Sequence, residues 1–277
     1  MENKFGGSWT EQKINILETY AIQFLKVFKN KPSEKLLYFD GFAGSGLIEI
    51  ESEQESESKI IEGAALKILK IEDPRAFNMY YFVEKKKAIA KSLEEKIIGQ
   101  FPNKEIYVQA SDCNVKLKDL ARFLRSEKGN RYKVLGFIDP KGMQLEWDSL
   151  EILRGLSIDL WILNPTSGTN RVLVRNGEID DSWLKRLELF LGISREEIKK
   201  HFYNKRPTLF GDIDIKENDP INKLHELYAS RIAGNIFKYV SNPKILRTNS
   251  GAPLFHFFMA TNNEIGLRIA NSVVNPK

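Results

Sequence analysis

The segment Asp40-Gly41-Phe42-Ala43-Gly44-Ser45-Gly46 directly follows an apolar run that begins at Leu36. Glycines there permit a tight turn and let a ligand approach the backbone closely. Glu84 follows the next such run, where a carboxylate can accept hydrogen bonds from both hydroxyls of a ribose. It stands further from the turn than the usual ~20 residues, and an acidic, serine-rich stretch accounts for the extra length. No arginine follows it to meet a 2′-phosphate. Asp112, in Gln109-Ala110-Ser111-Asp112-Cys113, could accept from an adenine amino group, because an ionised carboxylate only accepts. It could equally cap the helix that follows. The set describes either a site for an adenosine-bearing ligand or a row of ordinary turns and caps.

A fourth cluster, Phe137-Ile138-Asp139-Pro140-Lys141-Gly142, carries the reaction chemistry. An Asp-Pro pair rigidly presents a carboxylate and a carbonyl. Two such acceptors gripping an amino group would aim its lone pair at an electrophilic carbon and stabilise the charge that develops.

Elements must place these clusters together. Apolar spacing predicts a helix over Trp9–Asn30, with Ile14, Leu17, Ala21, Phe24 and Phe28 on one face. Strands are expected at Leu36–Asp40, Met79–Val83, Ile106–Gln109, Val134–Ile138 and Leu160–Leu163. Helices are expected between them, at Ile60–Lys70, Lys85–Ile98, Val115–Leu124 and Trp147–Leu153. Glu49–Ser58, almost all Glu, Ser and Gln, reads as a loop that can bury nothing. Strands that are apolar throughout and alternate with helices imply a parallel sheet covered on both faces, in a doubly wound α/β fold. The pattern turns helical over 174–240, with Ser182–Leu191, Ser194–Phe202 and Ile221–Tyr239 as helices and a polar loop at Gly211–Asp219. That segment reads as an insertion between strands five and six of a single domain spanning 1–277. Lys244–Arg247 and Phe255–Ala260 then read as two late strands, and Glu264–Val274 as a last helix.

Composition narrows the function classes. Cys113 is the only cysteine, which rules out an intramolecular disulfide or a multi-cysteine metal site and fits a reducing, cytoplasmic compartment. His201, His225 and His256 match no zinc spacing, so no metal is expected. No run of about 18 apolar residues suggests a membrane span, and the polar start, Met1–Thr10, does not read as a signal peptide. The net charge of +5 attracts polyanions, which keeps nucleic acid among the partners, though the basic residues are scattered. A Gly-x-Gly-x-x-Gly order is absent, which argues against a dinucleotide dehydrogenase.

Taken together, these residues resemble class I methyltransferases. Asp40–Gly46 is similar to the first motif of that class, Glu84 to its ribose acid, Asp112 to its adenine contact, and Asp139-Pro140 to its catalytic motif. The resemblance implies S-adenosyl-L-methionine as cofactor and a Rossmann-like, mostly parallel seven-stranded sheet in the order 3-2-1-4-5-7-6. It also implies cofactor contacts from Asp40, Gly41, Phe42, Ala43, Gly44, Gly46, Glu84, Asp112 and Cys113. A closer resemblance is to the three-Cys-motif partner proteins. It is carried by Phe5-Gly6-Gly7-Ser8-Trp9-Thr10 with Lys13 and Tyr20, by the Asp40 turn, and by Phe137–Pro140 with Gly142-Met143-Gln144-Leu145-Glu146-Trp147. Asp159-Leu160-Trp161, Asn170-Arg171 and Trp183 complete it. That family implies a partner bearing a three-cysteine motif, of radical-enzyme type, and leaves the substrate open.

One departure matters. Amino-methyltransferases acting on bases commonly carry an aromatic after the Asp-Pro, and here Lys141 stands there, so a base would have to stack elsewhere, on Phe42 or Trp147. Asn164-Pro165 reads as a second wall of the pocket, with Asn170 and Arg171 as candidate binders of an anionic group, though Arg171 could equally stand at a solvent-facing helix start. Lys13 could meet the carboxylate of the cofactor's methionine, and His256 reads as a sheet histidine. The expectation is N-methyl transfer to a nucleic-acid base or nucleotide. The alternative is a cofactor-binding partner without turnover of its own, and Lys141 also leaves open a small-molecule or protein acceptor.

Overall fold

The computed structural model describes residues 7–50, 59–209 and 211–276. In chain order the elements are α1 (Ser8–Val27), β1 (Lys35–Asp40), β2 (Leu47–Ile50), β3 (Lys59–Glu62), α2 (Ala64–Leu69), β4 (Met79–Glu84), α3 (Lys87–Gln100), β5 (Ile106–Ala110), α4 (Cys113–Arg125), β6 (Tyr132–Ile138), α5 (Trp147–Glu151) and β7 (Ile158–Asn164). Then come α6 (Thr166–Val172), α7 (Asp181–Leu191), α8 (Arg195–Phe202), β8 (Tyr203–Thr208), β9 (Gly211–Lys216), α9 (Pro220–Asn235), β10 (Tyr239–Val240), β11 (Lys244–Arg247), β12 (Pro253–Thr261) and α10 (Glu264–Val274).

The main sheet runs β5-β4-β1-β6-β7-β12, with β10 and β11 both paired to the far side of β12. The pairs from β5 to β7 are parallel, and β12 is antiparallel to β7. This is the order 3-2-1-4-5-7-6 that the resemblance implied, with the sixth strand in two pieces. The break falls at Ser241-Asn242-Pro243, where proline has no N–H to give to a ladder. Ser241 bridges it: its N–H donates to Met259 O at 2.8 Å, and its Oγ accepts from Met259 N at 2.9 Å.

Side-chain alternation along β1 explains how both faces are buried. Leu36 and Tyr38 point into a core shared with α1, α2, α3 and α10; Leu37 and Phe39 point into a core shared with α4, α5, α7, α8 and α9. The segment after β7 thus packs directly on the sheet, through Leu187, Phe190, Tyr228 and Ile232. Among the described residues no helix is long and apolar enough to cross a membrane.

Three local readings need correction. The helix expected over Ile60–Lys70 is only Ala64–Leu69, because Lys59–Glu62 pairs antiparallel with Leu47–Ile50. Ile60 and Ile61 are β-branched and are stopped by Gly63, which suits a strand better than a helix. The loop expected at Glu49–Ser58 therefore begins as strand, and its residues 51–58 lie outside the described ones, as do Phe5 and Gly6 of the family signature. Of the polar loop expected at Gly211–Asp219, Gly211–Lys216 is instead strand β9, hairpin partner of β8, and only the last three residues are irregular. There Lys205 faces Asp214, a cross-strand charge pair that an exposed hairpin tolerates.

Candidate functional site

Parallel register brings the sequence clusters to one rim. Asp40 is level with Phe82 of β4 and Phe137 of β6, Glu84 is level with Ala110 of β5, and Ile138 with Ile162 of β7. The Asp40–Gly46 turn, Glu84, Asp112 and Asp139 therefore all follow the carboxyl ends of adjacent strands. Strand order reverses between β1 and β6, and such a switch point is the place at which doubly wound sheets bind ligands.

The glycine turn is clasped from both sides. Gly41 N–H donates to Phe137 O and Ala43 N–H to Val83 O, each at 2.9 Å. A Cβ on Gly41 would lie 2.5 Å from Cys113 Sγ and 2.7 Å from Ile138 Cδ1. Gly41→Val should therefore cost about 1–3 kcal/mol of stability by overpacking, measurable as a lowered denaturation midpoint. Gly44 is left-handed, with φ +62°, and nothing lies within 4 Å of where its Cβ would be. The turn is thus open on the side where a ligand could meet backbone. Phe42 is half-buried against the α4 side of the sheet.

Asp40 is 1% exposed. Its Oδ1 accepts from Phe42 N–H at 3.0 Å and its Oδ2 from the Tyr38 hydroxyl at 3.4 Å. Burial raises its pKa to about 7, with the charge of Asp139 adding to the rise and the Phe42 and Tyr38 hydrogen bonds and Lys13 opposing it. Its carboxyl therefore changes charge near neutral pH, unlike an exposed aspartate.

Glu84 Oε1 accepts from Lys86 N–H at 2.8 Å. Asp112 caps α4, accepting from Asn114 N–H at 2.9 Å, and pairs with Lys85 Nζ at 3.0 Å. Partial burial pushes the Asp112 carboxyl up, but Lys85 and the Asn114 N–H together hold it below the usual range. Cys113 is buried beneath Gly41; burial, then Asp112 and Asp40, push its thiol well up, so it serves as packing rather than as a nucleophile.

Two features of the Asp139 loop escaped the sequence reading. Asn114, 8% exposed, donates to Gln144 O and accepts from Glu146 N–H, each at 2.9 Å, so α4 fixes the loop after β6. An amide in the first turn of a helix beside the rim was the available signal. The second is Lys13, which meets Asp139 Oδ2 at 2.5 Å instead of standing ready for a cofactor carboxylate. No local pattern links residues that lie 126 positions apart. Pro140 is buried, and Lys141 is exposed, with its N–H donating to Gln144 Oε1.

The residues expected at the substrate wall are divided. Asn164, 1% exposed, ends β7 beside the Asp139-Pro140 turn, and its Nδ2 has no hydrogen-bond partner among the described residues. Arg171 is exposed at the end of α6, and Asn170 Oδ1 is buried without a partner among the described residues. Trp147 is not placed to stack a base. It is 5% exposed, with Arg231 over its ring at 4.6 Å and Gly192 against it so closely that a Cβ would lie 2.1 Å from its Cγ. His256 is a buried sheet histidine: Thr166 Oγ1 lies 2.9 Å from its Nδ1 and Asn222 Oδ1 3.2 Å from its Nε2. Because the Asn222 Nδ2 is spent on Asp219, Nε2 of His256 carries the proton. Burial takes its pKa down to about 4 and that of its stacked neighbour His225 to about 3, so both are neutral at physiological pH. Among the described residues, no group of three or more His, Cys, Asp or Glu could hold a metal ion.

The strand order, with β12 reversed between β7 and the split sixth strand, defines a Rossmann-like class I methyltransferase fold. No family model matches the chain, and no curated protein does. Solved structures similar to it include a Legionella pneumophila protein, at 13% identity over 94% of this chain and 99% of the other, with a TM-score of 0.45. The DszA carbon methyltransferase is similar over 93% of this chain, at 13% identity and a TM-score of 0.45. Trm1 from Pyrococcus horikoshii, solved with S-adenosyl-L-methionine, is similar over 98%, at 10% identity and a TM-score of 0.42. The chain spans 55% and 59% of the last two proteins.

Proposed function

We propose that this chain binds S-adenosyl-L-methionine across the ends of β1, β4, β5 and β6 and transfers its methyl group to an amine nitrogen. The observation that carries the reading is the shared rim: an open left-handed glycine, a buried acid near neutrality, and three further acids at or just beyond the carboxyl ends of neighbouring strands. These residues fit the cofactor. Gly44 leaves room for it at the backbone, and Asp40 can face its cationic methionine end. Glu84 can take the ribose hydroxyls and Asp112 the adenine amino group, each as acceptor. When bound, the cofactor supplies an electrophilic methyl on a sulfonium.

The chain's own residues do the rest. The Asp139 carboxylate and the Pro140 carbonyl grip an amino group, aim its lone pair, and Asp139 takes the proton that is lost. The basic surplus favours a nucleic-acid base or nucleotide as acceptor. Stacking would fall to Phe42, since Lys141 has no π-face and Trp147 is enclosed. The test is transfer of tritiated methyl to RNA, DNA and nucleotides. Label is expected on one of them, falling about a hundredfold or more in Asp139→Asn. Transfer to none of them, with cofactor bound, would contradict the nucleic-acid acceptor.

One observation favours a second reading. Lys13 occupies the Asp139 carboxylate, as it would in a protein that binds the cofactor but turns nothing over alone. Such a chain would act as partner to a three-cysteine-motif protein. Co-purification with that partner, and methyl transfer only in its presence, would support this reading over the first.

A further inference from the structure

Lys13 reaches the rim from the second turn of α1. Its Nζ lies 2.5 Å from Asp139 Oδ2 and 4.9 Å from the centre of the Trp9 ring, and its side chain is 6% exposed. An ammonium buried this far is costly unless paired. Asp139 supplies the pair, and the indole face adds an attraction that also suits methylated ammonium groups. Trp9 is held in turn against Phe255 of β12, with ring centroids 4.9 Å apart. An amine thus sits, desolvated and fixed, on the very carboxylate that an attacking nitrogen would use.

We propose that Lys13 is a methyl acceptor of this chain's own site, modified in cis on Nζ. The inference rests on the cofactor reading above, with S-adenosyl-L-methionine as co-reactant. Asp139 takes one proton from the Nζ ammonium. The freed lone pair attacks the sulfonium methyl, so that an N–C bond forms as the C–S bond breaks. The C–S electron pair stays on sulfur, S-adenosylhomocysteine leaves, and the proton passes from Asp139 to water. The product, a methylammonium, keeps its charge and both contacts. Asp40 lies in the same electrostatic neighbourhood, coupled to both Lys13 and Asp139.

The test uses the whole chain incubated with cofactor carrying a trideuteromethyl group, so that new transfer is told apart from methyl already present. Fragment masses locate the label. The expected result is label on Lys13, at a rate per molecule independent of protein concentration, and its loss in Lys13→Arg and Asp139→Asn. The wild-type site assignment stands whether or not either variant folds. Absence of label from Lys13, while S-adenosylhomocysteine still binds by calorimetry, overturns this inference and leaves the cofactor reading intact. Absence of that binding overturns both. A rate that rises in proportion to protein concentration moves the reaction between two copies and overturns transfer in cis.

Discussion

Asp40→Asn should stabilise the ligand-free protein at pH 8 and weaken its hold on S-adenosyl-L-methionine at the same time. Asp40 has a pKa of about 7 in the folded chain against 3.8 for an unperturbed aspartate, with burial as the main cause. Below both values the group is protonated in either state and has no effect. As pH rises between them, the unfolded chain releases the proton and the folded chain keeps it, so stability falls by about 1.4 kcal/mol per pH unit. Above pH 7 the loss is complete, on the order of 4 kcal/mol. Asparagine keeps the acceptor for Phe42 N–H and never ionises, so the slope should vanish. Denaturant titrations at pH 5 and pH 8 measure it; equal pH dependence in both proteins would contradict the account. A bound cation offsets the same charge, so wild-type binding should strengthen toward pH 7 and release a proton. Losing a charge-assisted contact of about 1.5–3 kcal/mol corresponds to roughly ten- to a hundredfold weaker binding in Asp40→Asn.

The second large effect lies at Asp159, away from the rim. Its carboxylate, 7% exposed, accepts from the Tyr20 hydroxyl at 2.7 Å and from the Thr261 hydroxyl, tying α1 and β12 to β7. Gly266 of α10 closes over the pair, where a Cβ would come within 3.0 Å of the Tyr20 oxygen. Asp159→Ala leaves two buried hydroxyls without their acceptor and should cost about 3 kcal/mol or more. Asp159→Asn, which keeps one acceptor, should cost about 1 kcal/mol. Because α1 carries Lys13, the alanine variant should also loosen the Lys13–Asp139 pair. Thermal denaturation of both variants checks the order; an alanine variant as stable as wild type would remove the anchor from the account.

Much of this was legible in the sequence because it is local. Apolar runs closed by Asp40, Glu84 and Asp139 mark strand ends, and parallel pairing then aligns those ends without further information. Asp112 shows both the strength and the ambiguity of such signals: it stands at the rim and also caps α4. What was not legible depends on contacts across the chain. The β2–β3 hairpin hid behind an acidic, serine-rich stretch with no strand pattern. Strand β9 carries the alternation of a strand in Asp212-Ile213-Asp214-Ile215, but that pattern is short and set between Gly211 and the turn-forming Asn218-Asp219-Pro220, so the stretch as a whole read as loop. The Trp147 ring looked available for stacking, and only the fold brings Gly192 and Arg231 onto it. Lys13 and Asp139, and Tyr20 and Asp159, are pairings that sequence spacing does not suggest.

Backbone hydrogen exchange, followed with and without S-adenosylhomocysteine, tests the cofactor site most directly. Binding should slow exchange in three separated stretches at once, around 41–46, 84–86 and 111–114, and Gly44→Val should abolish the protection while the protein stays folded. Protection confined to the surface groove between α1 and α10, lined by Asn15, Thr19, Ile269 and Val273, or protection unchanged in Gly44→Val, would place the ligand elsewhere and end the argument.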